Sequence, residues 1–221
     1  MSTQLRKTLR DGRSVLLRPI EPADAPRLRE GLARMSPESR YRRFLAPTGA
    51  LSDAKLRYLT EVDQRDHIAW GALDLDAPGL PGVGVARCVR LNDDPTAAEA
   101  AIAVVDSHQH LGLGTLLLGV LSAAAAAQGI RWFRALVLED NAPMLTLLRQ
   151  LNATIAREGV GTVRADVPVC ADPDLLPNTP AGRVFRAVAA DLARPPIVRF
   201  LHDHLLERVA ELLPWASREH G

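Results

Sequence analysis

The stretch from residue 98 to residue 115, AEAAIAVVDSHQHLGLGT, constrains this chain more than any other. Residues 100 to 105 are apolar, as in a buried strand, and residues 106 to 110 interrupt the run with polar side chains. Gly112 and Gly114 follow, and an Ala/Leu-rich helix is predicted from about Thr115. A glycine-bearing turn that opens a helix exposes unpaired backbone N–H groups at the positive end of the helix dipole. The stretch therefore predicts a phosphate-binding turn.

The composition excludes several classes of protein. The chain has 221 residues, 47% of them hydrophobic, and a net charge of +1 from 27 basic and 26 acidic residues. This balance gives no general attraction to nucleic acid or membranes. Cys88 and Cys170 lack the spacing of a disulfide framework or a zinc site. No apolar run is long enough to span a membrane and no signal-peptide core is seen, so a cytoplasmic protein without a bound metal is expected.

The rest of the chain alternates strand-like and helix-like segments, which predicts an α/β fold. Strands are predicted at 14–20, 67–75, 83–91, 132–138, 153–157 and 162–169, and helices at 25–35, 36–44, 52–59, 116–128 and 142–151. Helix caps are assigned to Asp24, Ser36 and Ser52 at the starts, and to Gly129 and Asn152 at the ends. Residues 1–13 are polar and are predicted to be frayed or an edge extension, whereas Trp70 and Trp132 are assigned to the core.

Beyond residue 170 the sequence predicts a proline-containing loop and then two amphipathic helices, at 181–193 and 196–213. Each helix has one apolar stripe. Such helices either cover the core of the domain or form a dimer surface or a lid. We favour the first interpretation, and a homodimer through these helices stays open.

The order of these elements resembles the GNAT superfamily of acyl-CoA-dependent N-acyltransferases. The superfamily motif Gln/Arg-x-x-Gly-x-Gly/Ala stands here as QHLGLG at 109–114, after a strand and before a helix. The resemblance covers about residues 14 to 168. It implies an acyltransferase domain over 1–169 with a helical extension over 170–221. The implied fold is a twisted, mixed but mostly antiparallel sheet flanked by helices. SPESRYRRF at 36–44, Ala98-Glu99 and the segment NAPML at 141–145 are similar to the GNAT domains of bacterial protein-lysine acetyltransferases.

The resemblance implies a role for each matched position in binding acetyl-CoA. Backbone N–H groups of the turn would hold the pyrophosphate, and the Thr115 hydroxyl would add a contact. The strand would offer backbone groups to the pantetheine arm, and an N–H near Val104 would polarise the thioester carbonyl. Asn141 would hydrogen-bond the pantetheine from the next helix. The implied donor site therefore comprises Ile102, Ala103, Val104, Gln109, His110, Leu111, Gly112, Leu113, Gly114, Thr115 and Asn141.

The implied chemistry is direct attack of a primary amine on the thioester, which needs a base to take the proton of the ammonium group. Glu99 is assigned this role, because partial desolvation at the start of an apolar strand would make its carboxylate a better base. No nucleophile–base pair stands out, which favours a ternary complex over an acyl-enzyme. The tyrosine that protonates the leaving thiolate in many GNATs is replaced by Leu148, and His110-Leu111 replaces a common Gly-Arg pair, so modest CoA affinity is expected.

Other interpretations are retained beside this one. His108 and His110 have the spacing of a metal pair but lack an obvious third ligand, so they are placed near CoA instead. The arginines at 40, 42 and 43 could recognise an acidic substrate, although a solvated helix with Tyr41 and Phe44 packed inward is the simpler interpretation. The acceptor is a small amine or a protein lysine. The alternative function is a catalytically weak acyl-CoA-binding regulatory or scaffold protein with the same fold.

Overall fold

The computed structural model describes residues 4–45, 49–170 and 172–193. Eight strands form one sheet, and their bounds are β1 Leu5–Thr8, β2 Ser14–Pro19, β3 His67–Asp74, β4 Gly82–Arg90, β5 Ala97–Val104, β6 Trp132–Leu138, β7 Thr154–Arg157 and β8 Thr162–Pro168. The helices are α1 Ala25–Ala33, α2 Pro37–Phe44, α3 Asp53–Thr60, α4 Leu113–Ala127, α5 Ala142–Gln150 and α6 Pro180–Ala193. This alternation is the predicted α/β fold.

The strands run in the order β1-β2-β3-β4-β5-β6-β8-β7. Every neighbouring pair is antiparallel except β5 and β6, which are parallel. A parallel pair needs a crossover connection, and α4 supplies it. The sheet is therefore mixed but mostly antiparallel, as predicted.

Several element boundaries follow directly from local chemistry. The Ser36 and Ser52 hydroxyls accept hydrogen bonds from the Ser39 and Lys55 N–H groups at 3.1 and 3.2 Å, so both serines are N-caps as predicted. Gly129 and Asn152 adopt the predicted left-handed conformation, with φ of 79° and 60°. Asp24 precedes α1, but its side chain makes no capping bond and pairs with Arg18 instead.

Residues 5 to 8 form the edge strand β1, with Leu5 and Leu9 buried against the core, so the edge extension that was one of the two alternatives for this segment is confirmed. Other predictions failed at positions whose environment depends on distant parts of the chain. Trp132 is 44% exposed and not a core residue, whereas Trp70 is buried as predicted. Tyr41 is 46% exposed and does not pack inward. Helix α4 begins at Leu113, two residues earlier than predicted.

Helix α4 is apolar on most of its circumference, which indicates that it is covered on two sides. Leu117 packs towards Gly84 of the sheet, and Gly119 lies against Phe185 and Val188 of α6. Helix α6 therefore covers the core, as we expected for the first C-terminal helix. The second predicted helix, at 196–213, lies outside the described residues. No helix in the described part of the chain is long and apolar enough to cross a membrane.

Candidate active site

Strands β5 and β6 separate from each other halfway along the sheet. Their pairing ends with Glu99 opposite Arg134, although β5 continues to Val104 and β6 to Leu138. The Val105 N–H donates to the Val83 carbonyl at 3.0 Å, so odd-numbered residues of β5 direct their backbone groups towards β4. The even-numbered residues alternate with them and face the opening. The separation thus leaves a slot on whose β5 side the even-numbered residues present main-chain N–H and C=O groups without a partner strand, although the Val104 carbonyl accepts from Gln109.

The backbone groups of Ile102 and Val104 face this slot, as the pantetheine prediction requires. The backbone groups of Ala103 do not face the slot, because Ala103 pairs with Val85 of β4. Its side chain lines a cavity on the face of the sheet opposite α4. The expectation for Ala103 is revised for this reason, since the strand alternates its backbone groups between two neighbours.

The turn that follows β5 leads into the start of α4 with an unusual backbone. His110 and Gly112 have positive φ values of 62° and 90°, and Gly112 is the N-cap residue of α4. The first intrahelical bond is donated by Leu116, whose N–H reaches the Gly112 carbonyl at 3.1 Å. The N–H groups of residues 112 to 115 therefore have no helical acceptor, and no side chain caps them. Together with the helix dipole they form a site suited to a phosphate group.

An arginine from the β1–β2 turn lies against this helix start. The Arg10 N–H donates to the Leu111 carbonyl at 3.2 Å, and its guanidinium Nη1 donates to the His110 carbonyl at 3.4 Å. Its Nε lies 3.8 Å from the point where a Cβ on Gly112 would be. Arg10 was not predicted as a site residue, because nothing in the local sequence pattern links residues about 100 positions apart. Arg10 supplies a cation at a turn that lacks the arginine common in the motif.

Gln109 is occupied by contacts within the protein. Its Nε2 donates to the Val104 carbonyl at 3.0 Å and to the Ser39 hydroxyl at 2.9 Å. Asp106 accepts three further hydrogen bonds from Ser36 and Ser39, at 2.7 to 2.8 Å. Burial opposes ionisation, but these bonds hold the pKa of Asp106 below its usual value. The side chain of Gln109 therefore fixes α2 to the end of β5.

His108 lies beneath the turn. Its ring is buried, with Nε2 3.1 Å from the Asp74 carboxylate and 3.0 Å from Nη1 of Arg13. Burial is the main cause of its lowered pKa, and Arg13 adds to the effect against the opposing charge of Asp74. Arg13 also donates to the Ser107 carbonyl at 2.8 Å. The predicted contact of His108 with CoA is replaced by a structural role, because this polar cluster attaches the turn to β3 and to the β1–β2 hairpin.

Glu99 occupies the last paired position of β5, at the apex of the slot. Its side chain is exposed, so the partial desolvation that we expected is absent. By register it shares a sheet face with Arg87 of β4 and Ala101 of β5. Burial lowers the pKa of the Arg43 guanidinium, and the negative charge of Glu99 opposes that shift. Glu99 is thus a solvated carboxylate beside a cation.

On the β6 side of the slot, Asn141 caps helix α5. Its Oδ1 accepts a hydrogen bond from the Met144 N–H at 3.3 Å, which leaves the side-chain NH₂ to donate elsewhere. Below the slot is an apolar cavity of about 480 Å³, lined by residues that include Ile102, Leu148 and Phe185. Leu148 is buried, so the place of the GNAT tyrosine is filled by an aliphatic side chain.

These features can be compared with known proteins. The family model described as "Acetyltransferase (GNAT) domain" matches residues 14–154. Acetyltransferase Pat of Mycolicibacterium smegmatis is 38% identical over 174 residues, which is 76% of this chain and 49% of that protein. The chain thus spans about half the length of this relative.

Two solved structures are also similar to this chain. The GNAT domain of S. lividans PAT is 31% identical, with a TM-score of 0.68 over 75% of this chain and 96% of that one. A cAMP-binding acyltransferase from Mycobacterium smegmatis is 31% identical, with a TM-score of 0.56 over 87% of this chain and 57% of that one. With its matching family model, its parallel strands that separate and its glycine turn, the chain belongs to the GNAT acetyltransferase family.

Proposed function

We propose that this protein is an N-acetyltransferase that transfers an acetyl group from acetyl-CoA to a primary amine. The observation that supports it best is the continuity of the slot: the free N–H groups at the start of α4 lie at one end and Glu99 at the other. Acetyl-CoA likewise has phosphate groups at one end and a reactive thioester at the other. The N–H groups are suited to the phosphates, and Glu99 is suited to act beside the thioester.

The donor would lie with its phosphates on the N–H groups of residues 112 to 115, near the guanidinium of Arg10. Backbone groups of Ile102 and Val104 would pair with the pantetheine arm as a neighbouring strand does. The Thr115 hydroxyl and the free amide of Asn141 would add hydrogen bonds from the two helices that flank the slot. The Val104 N–H would polarise the thioester carbonyl and stabilise the negative charge that develops on its oxygen.

The acceptor amine would lose its proton to Glu99, directly or through one water molecule, and then attack the thioester carbon. The C–N bond forms as the C–S bond breaks, and the thiolate leaves into water, because Leu148 cannot donate a proton. An acyl-enzyme at Cys88 is disfavoured, since burial raises the pKa of its thiol to about 12. The reaction would therefore proceed in a ternary complex.

The test is Glu99→Gln, with Glu158→Gln as the control because Glu158 is an exposed carboxylate in the β7–β8 turn. We expect kcat in a CoA-release assay to fall about 100-fold or more in Glu99→Gln, with the acetyl-CoA Kd unchanged, since a positioned base contributes that much. Glu158→Gln should behave as wild type. If acetyl-CoA binds but no amine or peptide stimulates CoA release, the protein is instead an acyl-CoA-binding regulatory or scaffold protein. If acetyl-CoA does not bind, both functions are refuted.

A further inference from the structure

The face of the sheet opposite α4 contains a second, larger cavity. It lies between the sheet and helices α1, α2 and α3, and has a volume of about 790 Å³ including its open mouth. Most of its lining is apolar, with Leu32, Met35 and Phe44 among the side chains. Its charged lining residues are four arginines and one aspartate: Arg18, Arg27, Arg43, Arg87 and Asp24. The cavity therefore has a marked excess of positive charge.

The aspartate is already neutralised by its neighbours. Both oxygens of Asp24 accept hydrogen bonds from Arg18, at 2.7 and 2.6 Å, and Arg27 lies 3.3 Å away. Burial opposes ionisation, yet these arginines and the Glu21 N–H keep the pKa of Asp24 low. This side of the cavity is thus a closed ion-pair cluster, and Asp24 is not available to pair with Arg43 or Arg87.

Arg87 is a buried cation without an anionic partner in the described part of the chain. Only 6% of its surface is exposed. It donates to the Leu59 carbonyl at 3.0 Å and faces the His67 Nε2 at 3.2 Å, and both of these are neutral acceptors. Burial, reinforced by the nearby charge of Arg43, lowers its pKa to about 10. Buried guanidinium groups are normally paired with carboxylates, so this arrangement suits a ligand that brings one.

Arg43 extends the same positive region towards Glu99. Its guanidinium carbon lies 5.0 Å from the centre of the Phe44 ring, and within the described residues it forms no ion pair. Register places Arg87 diagonally from Glu99 across β4 and β5, because Arg87 pairs with Ala101 and Glu99 with Val89. Diagonal positions of this kind are about 7 to 8 Å apart. Arg87 and Glu99 thus share this face of the sheet, and α2, which contacts β5, carries Arg43.

The two arginines are complementary to a negatively charged group on the acceptor, and Glu99 is complementary to a positively charged one. We infer that the preferred acceptor has a carboxylate close to its amine, and that Arg43 and Arg87 bind the carboxylate while Glu99 receives the ammonium group. The planar guanidinium fork is suited to bidentate binding of a carboxylate. The inference rests on the proposed acetyl transfer, because that reaction assigns the amine to Glu99. Both a free amino acid and a lysine beside an acidic residue present this chemistry.

Two matched pairs of acceptors distinguish a small amino acid from a protein lysine. The first pair is 5-aminopentanoate and its uncharged amide, 5-aminopentanamide. The second pair is a lysine peptide with a flanking Glu and the same peptide with Gln in place of that Glu. Binding to the full chain is measured by calorimetry with CoA present, and kcat/KM is measured by CoA release. We expect at least about tenfold preference for the carboxylate member of one pair. Arg43→Met and Arg87→Met should abolish the preference, so that each variant uses both members of the pair with the same kcat/KM, whereas Arg87→Lys should keep part of the preference.

Arg57→Met is the control, because Arg57 is an exposed arginine on α3 away from the cavity lining. It should retain the full preference. Equal use of both members of both pairs by the wild-type protein would overturn the inference, and this result does not depend on whether any variant folds. A preference that survives in both methionine variants would also overturn it. Carboxylate-selective binding without any acetyl transfer would count against the proposed function alone.

Discussion

Substitution of Gly112 by alanine tests the proposed donor site most directly. Gly112 is the N-cap residue of α4 and has φ of 90° and ψ of −5°, a conformation that residues with a Cβ rarely adopt. An added Cβ would lie 3.8 Å from the Nε of Arg10, on the side where we place the pyrophosphate. The variant therefore combines backbone strain with an obstacle at the phosphate position.

The two effects have different magnitudes and different readouts. The left-handed conformation costs about 1 to 2 kcal/mol for a residue with a Cβ, which lowers Tm by roughly 2 to 8 °C in a domain of this size. Loss of one charge-assisted hydrogen bond to phosphate costs about 1.5 to 3 kcal/mol, which raises the acetyl-CoA Kd about 10- to 150-fold. Differential scanning fluorimetry measures the first effect and calorimetry with acetyl-CoA measures the second.

Gly129→Ala is the matched control at the other end of α4. Gly129 has φ of 79°, and an added Cβ there would meet nothing within 4 Å. It should lose a similar amount of stability and keep its acetyl-CoA affinity. Equal Kd values in the two variants would refute our assignment of the helix start as the phosphate site.

Three further predictions concern the turn and the helices around it. Arg10→Gln should raise the Kd for CoA several-fold without affecting S-acetylpantetheine, which has no phosphate; an equal effect on both ligands would contradict a phosphate contact. Because the pKa of His108 is lowered in the folded protein, this histidine takes up a proton at a higher pH in the unfolded chain than in the folded one. Stability should therefore decrease as the pH falls through the ordinary histidine pKa of about 6.5, and less steeply in His108→Gln, as measured by urea unfolding. Gly182→Ala would place a Cβ in collision with the Pro177 carbonyl oxygen, so the variant should lose about 1 to 3 kcal/mol of unfolding free energy. The control is Gly49→Ala, whose Cβ meets nothing within 4 Å and which should keep its stability.

The features that the sequence predicted well depend on interactions within a few residues. Ser36 and Ser52 cap the helices that they precede, because a serine hydroxyl needs only an N–H three positions ahead. Gly129 and Asn152 end their helices for a similarly local reason. The alternation of strands and helices was predicted from side-chain periodicity, which also acts over one element at a time.

The features that the sequence could not predict depend on contacts between distant segments. Trp132 sits in a predicted strand, yet which face of that strand is covered depends on helices elsewhere in the chain. Glu99 was identified by its position, but its exposure and its interaction with Arg43 required the packing of α2 near β5. Gln109 belongs to the expected motif, and only the folded chain brings it to Ser39.

The stretch from 98 to 115 by itself determined a strand, a glycine turn and a helix start with unpaired N–H groups, because backbone geometry and helix polarity are local properties. Only the tertiary structure decided what surrounds that turn. It brings Arg10 from the first hairpin to the helix start and places Arg87 of β4 diagonally from Glu99 of the neighbouring strand β5. Charges act through space and not along the chain, so the electrostatics of both ends of the slot required the fold.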